Sequence, residues 1–370
     1  MRALHDKLKG EVRVIGVGGP QMTLAGIKPL FPSSDIAMMW PTAIIKNFPL
    51  LLRRLREAIL DVVKSKPDVL VIIDSPEFTQ RVAKRVRRIA PQIPIIKYVA
   101  PQVWAWRPKR AAKMRWYIDE VLALLPFEPE VYARLQGPKT TYVGHPLIAR
   151  GDLFSMQPDD KKVRDEAIPT LAILPGSRSN EVKRLMKPFG ETLAALHKRQ
   201  KFYAVIPVVP HLRGLIEKEI AHWEIKPALI EGQAAKWALF RRARVALAAS
   251  GTVTLELALA QVPMVVAYRV EPWMEPVLRW LLTIPSIVLP NLILNKSVIP
   301  EFYQNDVRAE ILAPQLEKLM TSQTAREAQL DGFMKLQRMM QLPDGKKPAE
   351  AAAERVLALM GRYLREATGT

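Results

Sequence analysis

The sequence predicts an α/β protein built from two doubly wound parallel-sheet domains. Short apolar runs rich in β-branched residues alternate with segments of helical periodicity along most of the 370 residues. These runs are apolar at successive positions, which is typical of parallel strands covered by helices on both faces. A polar stretch without a strand, residues 147–168, interrupts the series and indicates a domain boundary. We expect ligands to bind at the carboxyl ends of the strands.

The first part of the chain contains five predicted strands. They span residues 12–17, 69–73, 95–99, 121–125 and 140–143. A helix is predicted over 50–64, where apolar residues recur at helical spacing, and residues 2–8 resemble the end of another helix. These elements define a first domain at 1–150.

The second part continues the same alternation of strands and helices. Strands are predicted at 171–174, 203–209, 245–249 and 264–268, with helices near 180–200, 234–242 and 252–260 between them. From residue 313 onward the pattern is helical, with a Pro-Asp-Gly-Lys-Lys-Pro break at 343–348. We therefore expect a second domain at 151–342 and a separate C-terminal helix at 343–370.

The composition limits the possible functions. Hydrophobic residues make up 49% and charged residues 25% of the chain, which excludes disordered and fibrous classes. The absence of cysteine excludes disulfides, thiolate zinc sites and a cysteine nucleophile. A formal net charge of +19 calls for an anionic partner, namely nucleic acid, a phosphorylated substrate or a membrane surface.

Neither a membrane span nor a signal peptide is predicted. The apolar run 281–294 is broken by Pro285 and Pro290, and it falls short of the ~20 residues that cross a bilayer. The first residues lack the apolar core of a signal peptide. We expect a cytoplasmic protein that can lie against the inner surface of a membrane.

The strongest local motif is Leu174-Pro-Gly-Ser-Arg-Ser-Asn-Glu181, where a predicted strand ends and a helix begins. Gly176 allows close backbone approach to a ligand, the N-terminus of the helix that starts near Ser179 offers free N–H groups, and Arg178 can bind phosphate oxygens. The alternative is an ordinary βα turn in which Ser179 caps the helix and Glu181 occupies its first turn. The residues alone favour neither interpretation.

A second strand-to-helix junction has the same character. In Ala248-Ala-Ser-Gly-Thr-Val-Thr-Leu-Glu256, small residues precede the helix, and Glu256 can accept hydrogen bonds from ribose hydroxyls. In the alternative interpretation, Ser250 or Thr252 is an N-cap and Glu256 is a favourable acid in the first turn. Two such loops in one half of the chain favour a site for a nucleoside diphosphate.

Asp74 follows the predicted strand at 69–73, where active-site residues of open sheets gather. A carboxylate there can remove a proton from an acceptor hydroxyl. The alternative is a turn-forming Asp before Ser75 and Pro76, and the local residues by themselves favour that alternative.

The segment 100–116 interleaves aromatic rings with cations. It suits stacking on nucleic-acid bases and equally the interface of an anionic bilayer, although a buried Trp beside a solvated basic helix is a strong alternative. His145 is a candidate base, but a single His beside Pro is more often structural. Metal-binding motifs and a Walker loop are absent from the sequence, and residues 16–20 resemble a dinucleotide fingerprint only weakly.

Taken together, these segments resemble the bacterial lipid-A-disaccharide synthases. The matching segments follow the family's order from about residue 4 to at least residue 304. They are Ile-Gly-Val-Gly-Gly-Pro (15–20), Ile-Asp-Ser-Pro-Glu-Phe (73–78), Tyr-Val-Ala-Pro-Gln-Val-Trp-Ala-Trp-Arg (98–107), Leu-Pro-Phe-Glu (125–128), Val-Gly-His-Pro-Leu (143–147), Leu-Pro-Gly-Ser-Arg (174–178), Ala-Ser-Gly-Thr-Val-Thr-Leu-Glu (249–256), Leu-Pro-Asn (289–291) and Val-Ile-Pro-Glu-Phe (298–302).

The resemblance implies an inverting, metal-independent glycosyltransferase with the GT-B fold, in which two Rossmann-like domains face a cleft. It implies transfer from UDP-2,3-diacylglucosamine to 2,3-diacylglucosamine 1-phosphate (lipid X), giving a β(1→6) disaccharide and UDP. The first domain would be on the acceptor side and the second would bind the UDP-sugar. The segment 343–370 would pack back on the first domain. The UDP-sugar is the donor substrate, and neither a cofactor nor a metal is expected.

The resemblance also assigns residue roles. Asp74 matches the family's proposed catalytic base, and Arg178, Glu256 and Asn291 match positions associated with UDP. The predicted nucleotide-binding set comprises Gly176, Ser177, Arg178, Ser250, Gly251, Thr252, Val253, Thr254, Glu256 and Asn291. The predicted acceptor-side or lipid-side set comprises Gln102, Trp104, Trp106, Arg107 and His145.

The expected partners are acylated glucosamine substrates and the anionic inner-membrane surface, with a homodimer through the C-terminal segment and no nucleic acid. Rival interpretations are another GT-B enzyme that uses UDP-N-acetylglucosamine, such as a murein glycosyltransferase or an epimerase, and a basic nucleic-acid-binding protein. The latter lacks any recognised nucleic-acid-reading motif.

The family normally begins with a strand and a Gly-rich loop ahead of the segment that aligns with residues 2–10. Because the sequence as written does not contain them, we expect Met1 to be an internal methionine of a longer protein. An upstream extension of roughly 20–30 residues is then expected to supply this strand and loop.

Overall fold

The computed structural model describes residues 1–36, 48–271 and 284–368, so residues 281–283 of the apolar run lie outside the described part. The chain divides into two compact units. One unit comprises Met1–Ala149 and Leu342–Thr370, and the other comprises Arg150–Gln341. Each unit contains a parallel sheet covered by helices.

In the first unit, the residues that the structure describes form a four-stranded sheet. Its strands are β1 (Leu70–Ile73), β2 (Ile95–Tyr98), β3 (Glu120–Ala123) and β4 (Lys139–Tyr142), which lie side by side in chain order. The helices of this unit are α1 (Arg2–Lys7), α2 (Pro20–Leu24), α3 (Phe48–Ser65), α4 (Pro76–Ile89), α5 (Lys109–Met114) and α6 (Glu128–Arg134). Short 3₁₀ turns lie at Ser33–Asp35 and Pro146–Arg150.

The predicted strand at 12–17 is wrong. This segment makes only one parallel bridge, between Gly16 and Pro29, and the Gly16 carbonyl accepts a hydrogen bond from the Leu30 amide. A strand forms only where a neighbour exchanges backbone hydrogen bonds along its length. The apolar β-branched residues of segment 12–17 therefore do not make it a strand, because no described strand pairs with it.

Helices cover both faces of the first sheet. On one face, α4 buries Val82, Ala83 and Val86 against the strands. The other face receives the C-terminal helix of the chain, whose Val356 and Leu359 pack in a cluster with strand residues.

That C-terminal helix is also fixed by polar contacts. The guanidinium of Arg355 donates two hydrogen bonds of 2.8 Å to the buried carboxylate of Glu120, which also accepts one from Thr141. The hydroxyl of Tyr363 donates to the carboxylate of Asp119. The segment after residue 342 is thus an integral part of the first unit.

The described part of the second unit, residues 150–271 and 284–341, forms a sheet of six parallel strands. They are β5 (Thr170–Leu174), β6 (Tyr203–Val208), β7 (Ala228–Glu231), β8 (Val245–Ala249), β9 (Met264–Tyr268) and β10 (Glu301–Tyr303), in the order β10-β9-β8-β5-β6-β7. The helices of this unit are α7 (Gly151–Phe154), α8 (Pro158–Arg164), α9 (Ser179–His197), α10 (Arg213–Ile220), α11 (Gln233–Arg242), α12 (Thr252–Leu259), α13 (Leu289–Leu294), α14 (Ala309–Thr321) and α15 (Gln323–Met340). The 3₁₀ turns of this unit lie at Pro210–Leu212 and Gln304–Asp306. The first unit ends with a 3₁₀ turn at Pro343–Gly345 and the C-terminal helix α16 (Pro348–Thr368).

Two strands of this sheet, β7 and β10, were not predicted. Both are edge strands with no fully buried residue. Edge strands are covered on fewer sides, so they lack the continuous apolar run by which the central strands are recognised.

The strand order of the second sheet reverses between β5 and β8. Successive strands add on one side from β5 to β7 and on the other side from β8 to β10. In open α/β sheets, ligands bind outside the carboxyl ends of the strands at such a reversal. The two sequence motifs at 174–181 and 248–256 follow these two strands.

Candidate functional site

Asp74 lies immediately after β1, on a strained turn. Asp74 and Ser75 both have left-handed backbone angles, with φ of +45° and +37°. Non-glycine residues hold such angles at a cost of about 1–3 kcal/mol, and only where the surrounding structure enforces them. The Asp74 side chain is exposed, and its carboxylate has no hydrogen bond or ion pair within the described residues. The turn therefore presents a free carboxylate.

Two side chains hold the backbone of this turn by hydrogen bonds. The carbonyl of Asp74 accepts a 2.6 Å hydrogen bond from Nζ of Lys97 and a 2.8 Å hydrogen bond from Oγ1 of Thr79. Lys97 belongs to β2 and is only 1% exposed. Burial lowers the pKa of Lys97 to about 8, and the nearby charge of Asp74 opposes that shift. Sequence analysis missed Lys97, although a Lys inside the apolar strand Ile-Ile-Lys-Tyr was the available signal.

The predicted acceptor-side residues occupy the loop after β2. Gln102, Trp106 and Arg107 are exposed, and the Arg107 guanidinium lies 4.4 Å from the centre of the Trp106 ring. Trp104 is half-buried and packs edge-on against Phe127. The aromatic and cationic side chains thus lie at the same edge of the first sheet as Asp74.

Glu128 is a buried acid at this edge that sequence analysis did not single out. Its carboxylate accepts hydrogen bonds from the Leu124 and Leu125 amides and from Nε1 of Trp104. Burial raises the pKa of Glu128 to about 7. Glu128 therefore fixes the loop after β3 and the orientation of Trp104.

His145 is separated from Asp74 by the width of the sheet. It follows β4, whereas Asp74 follows β1, and four adjacent strands span roughly 14 Å. Nδ1 of His145 accepts a hydrogen bond from the Leu147 amide, and burial lowers the pKa of His145 to about 4. This environment favours the structural interpretation of His145.

In the second unit, hydrogen bonds to the Glu181 carboxylate hold the loop after β5. Glu181 accepts hydrogen bonds from the Ser177 amide (3.1 Å) and from Nη1 of Arg178 (2.8 Å). Gly176 has φ of +115°, and a Cβ atom there would lie 2.6 Å from the Glu181 carboxylate, so only glycine fits. The N-cap of α9 is Arg178 rather than Ser179, and the Arg178 side chain is 63% exposed.

The loop after β8 is built from small residues. Gly251, with φ of +149°, is the N-cap of α12, and its carbonyl accepts a hydrogen bond from the hydroxyl of Thr254. The Ser250 hydroxyl donates to the Ile287 carbonyl, so neither Ser250 nor Thr252 caps the helix through its side chain. Thr252 is exposed and Val253 half-buried at the start of the helix.

Glu256 in the same helix has a cationic partner. Nζ of Lys236 donates to both carboxylate oxygens of Glu256, at 2.9 and 3.1 Å. The Lys236 ammonium also lies 4.7 Å from the centre of the Trp237 ring. Sequence analysis missed Lys236, because it comes from α11, a different helix that carries no motif.

Asn291 is 2% exposed, and its carboxamide is engaged with the protein backbone. Its oxygen accepts hydrogen bonds from the Val298 and Ile299 amides, and its nitrogen donates to the Ile299 carbonyl. Asn291 therefore holds the segment after α13 in place.

Within residues 1–36, 48–271 and 284–368, no group of three or more His, Asp or Glu side chains is arranged to hold a metal ion. In the same ranges, no helix is both long enough and apolar enough to span a membrane. The predicted independence from metals stays a prediction.

Solved structures of other proteins share this architecture. MurG of Acinetobacter baumannii has a TM-score of 0.58 at 12% identity, with 96% of this chain and 94% of that chain covered. The calicheamicin glycosyltransferase has a TM-score of 0.58 at 14% identity, with 97% and 94% covered. The UDP-N-acetylglucosamine 2-epimerase of Neisseria meningitidis, solved with UDP-N-acetylglucosamine bound, has a TM-score of 0.59 at 13% identity, with 98% and 95% covered. These similarities confirm the GT-B fold.

Sequence relatives identify the family. The family model for lipid-A-disaccharide synthetase matches residues 1–355. The lipid-A-disaccharide synthase of Nitrobacter hamburgensis is 46% identical over 97% of this chain and 91% of its own length. That of Rhodopseudomonas palustris is 46% identical over 97% and 92%. With the family model matching nearly the whole chain, the chain belongs to the lipid-A-disaccharide synthase family of glycosyltransferases.

Proposed function

We propose that this chain transfers 2,3-diacylglucosamine from its UDP derivative to the 6-hydroxyl of 2,3-diacylglucosamine 1-phosphate, with inversion. The products are the β(1→6) disaccharide 1-phosphate and UDP. Membership of the family supports the reaction, and the observation that carries the mechanism is the free carboxylate of Asp74 on its strained turn at the end of β1.

Asp74 is the proposed catalytic base. The acceptor oxygen forms a bond to the anomeric carbon, the bond from that carbon to the diphosphate breaks, and the hydroxyl proton passes to the Asp74 carboxylate. UDP leaves with the electron pair. General-base catalysis of this kind requires a carboxylate that is not already engaged by the protein, and Asp74 meets that condition.

Lys97 is a positioning residue in this proposal. Its buried ammonium holds the Asp74 carbonyl, so the left-handed turn that directs the carboxylate outward is fixed from inside the sheet. Thr79, in the first turns of α4, holds the same carbonyl from the helix side.

The second unit, close to the predicted range 151–342, is proposed to bind the UDP-sugar. Arg178 and the amide groups of Gly176 and Ser177 would stabilise the departing diphosphate, a task that metal ions often perform. Glu181 occupies the Ser177 amide and Arg178, so the diphosphate must displace it from these two donors or share them.

The uridine end is proposed to lie against α12. Glu256 would accept hydrogen bonds from ribose hydroxyls while Lys236 fixes its orientation. The loop residues Ser250, Gly251, Thr252, Val253 and Thr254 would supply the backbone around it. Asn291 is proposed to act indirectly, because its carboxamide already holds residues 298 and 299.

The first unit is proposed to receive the acylated acceptor along the loop that carries Gln102, Trp104, Trp106 and Arg107. Because the substrates are lipids, we propose a cytoplasmic protein associated peripherally with the inner membrane. A homodimer that exchanges the segment after residue 342 also stays a proposal; in such a dimer the Arg355–Glu120 contact would join the two subunits.

The test is UDP release by the purified chain from UDP-2,3-diacylglucosamine, with and without 2,3-diacylglucosamine 1-phosphate, together with the product mass. We expect release that depends on the acceptor, and little or none from non-acylated UDP-N-acetylglucosamine. Equal turnover of the non-acylated donor, or release independent of the acceptor, would instead favour a murein-type transferase or an epimerase.

A further inference from the structure

Three arginines lie near the Asp74 turn, at the carboxyl edge of the first sheet. We call Arg81, Arg107 and Arg110 the arginine cluster. Arg110, at the start of α5, donates a hydrogen bond to the carboxylate of Glu77 in the first turn of α4. The cluster holds the pKa of Glu77 below its usual range, chiefly through this hydrogen bond, while burial opposes the shift. Three guanidinium groups therefore act on one carboxylate.

The positive charge of the arginine cluster is only partly compensated. Arg81 and Arg107 are exposed, and within the part of the chain that the structure describes neither side chain has an ion pair or a hydrogen bond. The Arg107 guanidinium instead lies 4.4 Å from the centre of the Trp106 ring. Cations gathered in this way repel one another, and an anion bound between them relieves the repulsion.

Arg107 has a strained backbone. Its φ of +53° lies in the left-handed region, and it precedes Pro108, which disfavours helical angles in the residue before it. A residue other than glycine keeps such an angle only where the surrounding structure enforces it, and strain of this kind clusters at ligand sites. The Arg107 carbonyl accepts a 2.9 Å hydrogen bond from the amide of Arg110, so one tight turn presents both arginines.

The loop that carries Arg107 is anchored in the first unit. The hydroxyl of Tyr132 donates a 2.8 Å hydrogen bond to the Pro101 carbonyl, and Val103 is 1% exposed. Further along the loop, Nε1 of Trp104 is held by Glu128, as described above. A ligand at the end of this loop meets side chains that are already ordered, which lowers the entropic cost of binding.

The arginine cluster is close enough to Asp74 to contact the same sugar. Glu77 follows Asp74 by three residues, so their Cα atoms are at most about 11 Å apart. In glucosamine 1-phosphate, carbons 1 and 5 both adjoin the ring oxygen, so the phosphate and the 6-hydroxyl project from neighbouring sides of one ring. An acceptor with its 6-hydroxyl at Asp74 therefore has its phosphate within reach of the cluster.

We propose that Arg107 and Arg110 bind the 1-phosphate of the acceptor. This assignment rests on the proposed function and deepens it, because it names the residues that distinguish a phosphorylated acceptor from a neutral one. The planar guanidinium group suits phosphate, since it donates two parallel hydrogen bonds to phosphate oxygens. Glu77 orients Arg110 until the phosphate binds.

A surface ion pair that only joins the starts of α4 and α5 is the alternative. Such a pair requires Arg110 and Glu77 alone. It does not account for Arg107, which lies beside them on a strained turn without an anionic partner among the described residues. The alternative predicts that Arg107 has no effect on the acceptor.

The test compares two detergent-dispersed acceptors at saturating donor, 2,3-diacylglucosamine 1-phosphate and 2,3-diacylglucosamine. The original chain should prefer the phosphorylated acceptor by roughly 100-fold or more in kcat/KM. Arg107→Gln should raise the KM of the phosphorylated acceptor by roughly ten- to hundredfold, the range for a hydrogen bond to a charged group. Its kcat should stay within about threefold, because phosphate is bound equally in the ground and transition states. The KM of the neutral acceptor should change by less than about threefold.

Arg115→Gln is the matched control. Arg115 is exposed and lies 5.1 Å from the centre of the Trp116 ring, much as Arg107 lies on its own Trp ring, but it follows α5 at the amino edge of the sheet. The KM of both acceptors should stay within about twofold in this control. Arg110→Gln should repeat the result of Arg107→Gln. If the loss of its ion pair prevents that variant from folding, Arg107→Gln decides, since it breaks no ion pair.

Two results with the acceptors would overturn the proposal. One is an equal kcat/KM for the two acceptors in the original chain. The other is an equal change for both acceptors in Arg107→Gln, including no change, because Arg107 would then not recognise the phosphate.

The diphosphate of the donor is the other source of phosphate, and titration of UDP into Arg107→Gln distinguishes it. The dissociation constant of UDP should stay within about twofold of the original value. A loss of about tenfold would place the arginine cluster at the donor, and it would overturn the assignment to the acceptor.

Direct binding keeps this proposal separate from the proposed function. If neither the original chain nor any variant transfers sugar, the proposed function fails. Equilibrium binding of the two dispersed acceptors still decides the phosphate site. Tighter binding of the phosphorylated acceptor by the original chain than by Arg107→Gln supports the site, and equal binding of the two acceptors by the original chain overturns it.

Discussion

The acids after the strands of the two sheets are in different states. In the first unit, the carboxylate of Asp74 after β1 has no partner among the described residues, and Lys97 and Thr79 hold only its backbone. In the second unit, Glu181 and Glu256 are each paired with a cation, Arg178 and Lys236. An unpaired carboxylate can accept a proton, whereas a paired one mainly orients its cation. The difference agrees with the proposed division of labour, in which the first unit transfers the proton and the second binds the diphosphate.

The strand orders of the two sheets also differ. The second sheet reverses between β5 and β8, and both nucleotide motifs follow these two strands. The four described strands of the first sheet lie in chain order without a reversal, and Asp74 follows its edge strand. The topology of the second sheet therefore has a reversal at which open α/β sheets bind ligands, while the described strands of the first sheet have none.

The largest expected effect comes from Asp74→Asn. This change keeps the shape of the side chain but removes the base, so turnover should fall by roughly ten- to ten-thousand-fold. Turnover is measured as acceptor-dependent UDP release. Asp68→Asn, an exposed acid before the other end of β1, is the matched control and should keep nearly full turnover. If Asp74→Asn turns over as fast as Asp68→Asn, another group is the base.

Lys97→Met tests how the Asp74 turn is held. Burial lowers the pKa of Lys97 from 10.5 to about 8. Between these pH values the unfolded chain binds more protons at this residue than the folded chain does, so Lys97 by itself should contribute a rise of the unfolding free energy with pH, by up to roughly 3 kcal/mol. Buried tyrosines of the same unit, whose pKa values burial raises, contribute a fall near pH 10. Lys97→Met should abolish that rise, and turnover should fall about tenfold at unchanged UDP affinity.

The rise in unfolding free energy can be measured by amide exchange in the first unit. The exchange is followed from pH 8 to 10.5 and corrected for the intrinsic exchange rate. Lys64→Met, which alters an exposed lysine of α3, should leave the pH dependence as it is. A rise that persists in Lys97→Met would show that the Lys97 ammonium is not its source. Full turnover in that variant would remove its positioning role.

In the second unit, two substitutions should separate the phosphate from the nucleoside end of the ligand. Arg178→Ala should weaken UDP binding by about 1.5–3 kcal/mol and spare uridine, since it removes a charged hydrogen-bond donor to phosphate. Glu256→Gln should weaken UDP and uridine alike. Calorimetric titration of both ligands into both variants measures this. Equal losses of both ligands in both variants would indicate general disruption of the unit.

The smallest expected effect is a gain. Glu181→Gln removes the negative charge that occupies the Ser177 amide and Arg178, while keeping a side chain of the same size. UDP should then bind more tightly, by up to about 1 kcal/mol, because the diphosphate no longer competes with a carboxylate. Weaker binding would instead indicate that Glu181 serves to orient Arg178.

The central strands could be predicted from the sequence because burial on both faces leaves a continuous apolar run. The two segments 245–249 and 264–268 match the strands β8 and β9 residue for residue. The edge strands β7 and β10 lack that run, and segment 12–17 has the run without a described partner strand. Sequence thus reports how apolar a strand is, but it does not report which neighbour the strand pairs with.

In the candidate site, too, the sequence shows local chemistry but not which distant residue a side chain contacts. The motifs identified Asp74, Gly176, Arg178 and Gly251 because their chemistry is local to a strand end. Lys97, which holds the Asp74 carbonyl, and Lys236, which pairs with Glu256, come from elements about 20 residues away along the chain, and only the folded protein brings each pair together. Asn291 lies in a recognised motif, but the sequence does not show its hydrogen-bond partners, so its engagement with the backbone could not be predicted.

Titration of UDP into Asp74→Asn tests the division of labour most directly. The account predicts a dissociation constant within about twofold of the original protein, in a variant whose turnover has fallen at least about tenfold, because changes in independent sites do not couple. A dissociation constant weakened about tenfold or more would contradict the account, since Asp74 would then belong to the nucleotide site.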